Sequence, residues 1–171
     1  MQPRRIPTAW CGLWAAAVAV LFATGCGYSS SSLHPGGVRS VYVEMFQSKE
    51  FRRGLEMQLT EALRKELDRR TPYRNAPRNR ADSVLSGEIF EVRQSGLGED
   101  FVTGKPREMA ATFITRFRWK DMRTGKILAE QDQLIQTVEY VQPVGEDFFH
   151  ASEAGLNALA TRIVDTMETG W

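Results

Sequence analysis

The sequence predicts an α/β two-layer sandwich, a four-stranded mixed sheet with two helices packed on one face, in the order β-α-β-β-β-α. Three observations predict it. Residues 113–120 alternate strictly, with Phe113, Thr115, Phe117 and Trp119 on one side and Ile114, Arg116, Arg118 and Lys120 on the other. Two segments, 51–67 and 156–167, carry apolar residues at helical spacing over a charged or polar opposite face. Clusters of Gly, Pro and Asp separate all of these runs. Two such helices and a sheet need one another to bury their apolar faces, and the second sheet face is left for water, lipid or a partner.

The elements follow in order. After His34-Pro35-Gly36-Gly37, the run Val38 to Phe46 alternates around Val41 and Val43 and forms a first strand. Ser48 offers a helix N-cap and Glu50 sits in the favourable first turn. Phe51, Leu55, Leu59, Ala62, Leu63 and Leu67 then recur until Thr71-Pro72 stops the pattern. A polar connector, 73–82, leads to a second strand, Ser83 to Gln94. There Leu85, Gly87 and Ile89 share a face but Phe90 and Val92 fall on the other, so a bulge near Glu88 or burial on both faces is expected. Ser95 to Arg107, with three glycines, reads as a long hairpin loop before the alternating strand. Asp121 to Lys126 is a turn whose Gly125 can take a positive φ, and Ile127 to Val141 returns antiparallel. Leu156, Leu159, Ile163 and Met167 mark the last helix.

The 171 residues carry 22 basic and 21 acidic side chains, a net charge of +1, which suits one ordinary domain and provides no general field for nucleic acid or cations. Two cysteines, Cys11 and Cys26, and two histidines, His34 and His150, leave little material for a metal cluster or a Cys/His catalytic pair. His150 and Glu153, three apart on a helix, lack further ligands nearby and read as solvated or capping groups. Gly104-Lys105 is followed by Pro106, with Glu99 at the first glycine position, so no phosphate-cradling loop forms, and no serine sits in a G-x-S-x-G elbow. The inventory points to a protein that is not an enzyme.

The N-terminus has the build of an export signal. Arg4 and Arg5 precede an uncharged apolar stretch, Trp10 to Ala23, too short to span a bilayer comfortably. It closes on Ala23-Thr24-Gly25-Cys26, and small residues directly before a cysteine are similar to the bacterial lipobox, although Ala23 stands where Leu is usual. On this reading 1–25 is a lipoprotein signal peptide, and Cys26 becomes the first mature residue, carrying diacylglycerol and an N-acyl chain. Residues 26–37, with Ser29-Ser30-Ser31-Ser32, form a flexible tether, and 38–171 is the single folded domain. A plain signal peptide cut near Gly25, or an uncleaved anchor, are the alternatives for the same segment. Export also argues against nucleic acid as a partner. Arg116, Arg118 and Lys120, spaced about 7 Å apart by strand geometry, form a row that suits the phosphates of a lipid headgroup, or simply a solvated, charge-protected sheet face.

A lipobox-type cysteine followed by Gly27-Tyr28, a first strand ending in Phe46, the helix Leu55-Glu56-Met57-Gln58-Leu59-Thr60-Glu61-Ala62-Leu63, and Ala81-Asp82 leading into Leu85-Ser86-Gly87-Glu88-Ile89 resembles the LptE family of lipopolysaccharide-assembly lipoproteins. The resemblance runs from about residue 26 to the C-terminus. It implies an outer-membrane lipoprotein on the periplasmic side that plugs a large β-barrel translocon and assists lipopolysaccharide delivery to the cell surface, without catalysis and with no cofactor beyond the lipid on Cys26. Cys26 matches the family's anchor position. Arg116, Arg118 and Lys120 match no family motif and stand as lipopolysaccharide contacts on their alternation alone. A different class of function, a lipid-anchored structural adaptor for secretion or cell-wall machinery, would share the anchor and the fold and differ in its partner.

Overall fold

The computed structural model describes residues 37–51, 53–99, 106–141 and 148–169. Its elements are β1 (Ser40–Val43), β2 (Gln47–Ser48), α1 (Leu55–Arg70), β3 (Arg74–Asn75), β4 (Ser83–Glu99), β5 (Pro106–Asp121), β6 (Ile127–Val141) and α2 (Phe148–Thr169). The sheet runs β3-β1-β4-β5-β6, with β2 also paired to β4. β1 is parallel to both its neighbours, while β4, β5 and β6 form an antiparallel meander, so the sheet is mixed and open. The two-layer sandwich with both helices on one face is as expected, and the sheet has six strands rather than four. β2 and β3, the additions, are two residues each.

The core lies between the helices and the face built by the alternating positions. Phe113, Thr115 and Trp119 are fully buried, and Phe117 nearly so. They meet Leu59, Leu63 and Leu67 of α1 and Leu156, Leu159, Ile163 and Met167 of α2 in one continuous cluster. The Trp119 indole N–H donates to the Ser83 hydroxyl at 2.9 Å, and its ring meets that of Tyr73 edge-on at 5.3 Å. The helices are tied to each other at their exposed margin. Arg70 pairs with Asp165 at 2.6 Å, and Glu66 holds Arg69, Arg70 and the Thr161 hydroxyl.

The phase slip in the second strand is a bulge. Ile89 faces Thr115 and Glu91 faces Ile114, which leaves Phe90 as the extra residue and returns Val92, opposite Phe113, to the core side. Gly125 takes φ 75° in the β5–β6 turn, where the Asp121 carboxylate accepts the N–H groups of Arg123 and Thr124 at 2.7 and 3.1 Å.

Three boundaries differ from expectation. The first strand ends at Val43: the Glu44 N–H makes a last bond to the Leu85 carbonyl at 2.9 Å, and the chain then turns away to tuck Phe46 into the core, where its N–H donates to the buried Thr60 hydroxyl at 3.1 Å. The first helix begins at Leu55, not near Phe51. Ser48 is taken by the sheet opposite Ile89, and Gly54 turns into the helix at φ 100°, a left-handed conformation that L side chains rarely adopt. Phe51, one turn early, is therefore fully exposed. Of the expected hairpin loop 95–107, the described residues are strand, since β4 continues through Gly96 and Gly98 to Glu99 and β5 starts at Pro106, with register shifts at Gly98.

Candidate functional site

The helices leave the opposite sheet face open, and there the second set of alternating residues comes together. β5 presents Arg116 and Arg118, β4 presents Ser86 and Glu88, and β6 presents Glu130 and Asp132. Beside them the crossing from β1 to β2 brings Glu44, Met45 and Gln47 over the sheet. Together these residues line a groove of about 570 Å³. Met45, pushed outward because its neighbour Phe46 points inward, is an exposed apolar lip.

Each arginine meets a carboxylate across the strands. Arg116 lies opposite Glu88 in register and hydrogen-bonds it through Nη2, and Arg118 lies opposite Glu130 and reaches it through Nε at 2.7 Å and through Nη2. Glu88 has a second cation, Lys49 at 3.2 Å, and Glu44 pairs with Arg78 at 2.9 Å on the groove's outer margin. These pairings are the opposite-charge cross-strand arrangement that sheets favour. Arg116 bonds its carboxylate through Nη2 and Arg118 through Nε and Nη2, so among the described residues each guanidinium keeps N–H donors beyond those its carboxylate takes up. Both arginine side chains stay slightly more than half exposed.

Of the residues singled out from sequence, Arg116 and Arg118 are in the groove. Lys120 is exposed on the same face but outside the groove lining, opposite Val84 and Ile127. Cys26 and the segments 1–25 and 26–36 lie outside the described residues. His150 and Glu153 are exposed on α2, and among the described residues no group of three or more His, Cys, Asp or Glu is placed to hold a metal ion. The partners Glu88, Glu130 and Lys49 were not foreseen. Glu130 was hidden as well, since folding the strand straight back about the Asp121–Lys126 turn would set Ala129 against Arg118, and only the register shift between Trp119 and Lys120 brings Glu130 there.

Several carboxylates are held below their ordinary values. For Glu88 burial pushes the carboxyl up, but hydrogen bonds and charge from Lys49 and Arg116 more than offset it. Asp82 is lowered by the Ser40 hydroxyl at 2.8 Å, aided by the N–H groups of Arg39 and Ser40. Glu66 is lowered by Arg69, and Asp121 by the Thr124 N–H. A carboxyl whose pKa is depressed by folding binds its proton first in the unfolded chain. Its stabilisation is therefore complete above the ordinary values of 3.8 for Asp and 4.5 for Glu, and is lost as pH falls through the folded values. The melting temperature should thus hold steady from neutral pH down to the ordinary carboxylate range and drop below it. Asp82→Asn should flatten that drop in a pH series of thermal melts.

The fold and face define a class: an open, two-layer α/β domain whose uncovered sheet face carries a charged groove. A similar fold is found in the hypothetical protein CT253 from Chlamydia trachomatis, at a TM-score of 0.53 and 14% identity over 77% of this chain and 96% of that one. Rare lipoprotein B from Shewanella oneidensis matches at 0.44, with 18% identity over 74% and 92% of the two chains. An uncharacterized lipoprotein B from Nitrosomonas europaea matches at 0.48, with 10% identity over 78% and 86%. A comparison with curated protein sequences gives no match. The family model LptE, described as lipopolysaccharide-assembly, matches residues 38–168, and the chain belongs to this family. The family is one of non-enzymatic lipoproteins. No helix among the described residues is long and apolar enough to cross a membrane.

Proposed function

We propose that this chain is an outer-membrane lipoprotein, held on the periplasmic side by diacylglycerol and an N-acyl chain on Cys26, that plugs a large β-barrel translocon and assists lipopolysaccharide delivery to the cell surface. The observation that carries the reading is the family match over 38–168. The mechanism is binding. The helices close one sheet face, and the other offers guanidinium groups with unused donors, which suit the phosphates of a lipopolysaccharide headgroup. Arg116, Arg118 and Lys120 are the contacts we assign to it.

Two experiments test this. Gentle detergent extraction of the tagged full-length protein from its native envelope should recover one large β-barrel protein in stoichiometric amount. Recovery of a secretion or wall-building component without a barrel would instead make the chain a lipid-anchored adaptor. Replacing Arg116, Arg118 and Lys120 together by Ser should weaken lipopolysaccharide binding about tenfold or more while leaving the thermal melt within a few degrees, because all three are exposed. Unchanged binding would remove these residues from the site.

A further inference from the structure

Glu88 is only 8% exposed, yet two cations converge on it from different elements: Arg116 from β5, and Lys49 at 3.2 Å from the residue directly after β2. One cation would neutralise it. The second is placed with some care, since β2 pairs Gln47 and Ser48 with Glu88 and Ile89, and the Lys49 N–H itself donates to the Ile89 carbonyl at 3.0 Å. A strand of two residues thus anchors Lys49 beside the carboxylate, although the lysine side chain is 64% exposed.

We infer that Lys49 is a reserve counter-cation that lets Arg116 turn toward the phosphate group of an anionic ligand, an inference that rests on the reading of Arg116 and Arg118 as phosphate contacts. A carboxylate this buried is strongly disfavoured without a partner, so an arginine that was its sole cation would be held back from any ligand. With Lys49 in place, Glu88 stays neutralised while Arg116 swings its guanidinium out. Arg118 differs. Its carboxylate, Glu130, is exposed, has no second cation within 4 Å among the described residues, and can be left to water, so Arg118 needs no reserve. Lys49 therefore acts as a positioning residue for one of the two arginines and touches no ligand itself.

The test uses detergent-solubilised full-length protein and purified lipopolysaccharide, with inorganic phosphate alone as a second probe. Lys49→Met should bind lipopolysaccharide about tenfold more weakly than wild type with an unchanged melt, because the lysine is exposed. Adding Glu88→Gln, which removes the charge that needed the reserve, should restore binding to within about twofold. Lys49→Arg should behave as wild type. If Lys49→Met loses affinity and Glu88→Gln does not rescue it, the lysine acts as a plain surface charge and the inference falls. If Lys49→Met binds as wild type while the triple Ser variant of Arg116, Arg118 and Lys120 does not, the reserve role falls and the basic row stands. If the triple variant also binds as wild type, the underlying reading fails. Thermal protection by inorganic phosphate that Lys49→Met abolishes would support the inference with a free anion as ligand. Protection by lipopolysaccharide but not by inorganic phosphate, again lost in Lys49→Met, would support it with the lipid's own phosphate.

Discussion

Replacing Trp119 with Ala should lower the stability of the domain by about 3–5 kcal/mol, the usual cost of emptying a buried aromatic site. Trp119 is fully buried at the sheet–helix interface, against Tyr73 and beside Ser83. Truncation removes the largest side chain of the core and leaves a cavity that two helices and a twisted sheet cannot both collapse into. It also strips the Ser83 hydroxyl of its donor partner, leaving it only its own bond to the Ser40 carbonyl at 3.1 Å, so the junction of β1 with β4 is weakened too. Since domains of this size have about 5–15 kcal/mol in total, the variant should unfold at much lower urea or fail to accumulate. Trp119→Phe separates the two contributions, keeping most of the packing while losing the N–H, and should cost about 1–2 kcal/mol. A Trp119→Ala midpoint within experimental error of wild type would mean that the indole is not part of the core.

The other large effect is expected at Cys26. If its thiol and amino group carry three acyl chains, each CH₂ buried in the bilayer contributes about 0.8 kcal/mol, and two chains already suffice for stable attachment. Wild-type protein should stay with the membrane through high salt and alkaline wash, and intact mass should show the acyl groups. Cys26→Ser removes the acceptor, so the protein should either leave the membrane fraction or retain its uncleaved signal segment, and it should lose any activity that depends on residence there. An unmodified N-terminus near Gly25 in the wild type would establish a plain secretory signal in its place.

How much of this was legible before the structure depends on how far apart the cooperating residues lie. The strand pair 113–120 and 127–141 was readable because alternation, turn chemistry and aromatic content agree over many residues. The helix start was misread for a local reason: Phe51, Leu55 and Leu59 are spaced at four, so periodicity accepts Phe51, and only the capture of Ser48 by β4 and the left-handed Gly54 exclude it. β2 and β3 were invisible, since two residues carry no period. In the groove, the cations showed themselves by alternation within one strand. Their anionic partners did not, because Glu88 belongs to a strand whose register was obscured by the Phe90 bulge, and Lys49, 39 residues before it in the chain, joins it only through a two-residue bridge.

The sheet's pairing pattern also sets an order of assembly. β4, β5 and β6 are consecutive hairpins whose partners lie close along the chain, whereas β1 must wait for β4, with Val41 pairing Ser83 across the whole of α1 and its connector. Closing that long loop carries an entropy cost that only a preformed β4 can offset. The strand synthesised first is therefore the last to be seated, and until then Asp82 lacks the Ser40 hydroxyl and the two N–H groups that it clasps in the native state. Val41→Ala should accordingly speed unfolding and leave the refolding rate nearly unchanged, while Phe117→Ala should slow refolding, a contrast that stopped-flow measurements in urea would reveal or refute. A chain that folds in this order leaves Ser40–Val43 without strand partners until β4 has formed, so the sheet's parallel half is its last part to gain protection from solvent.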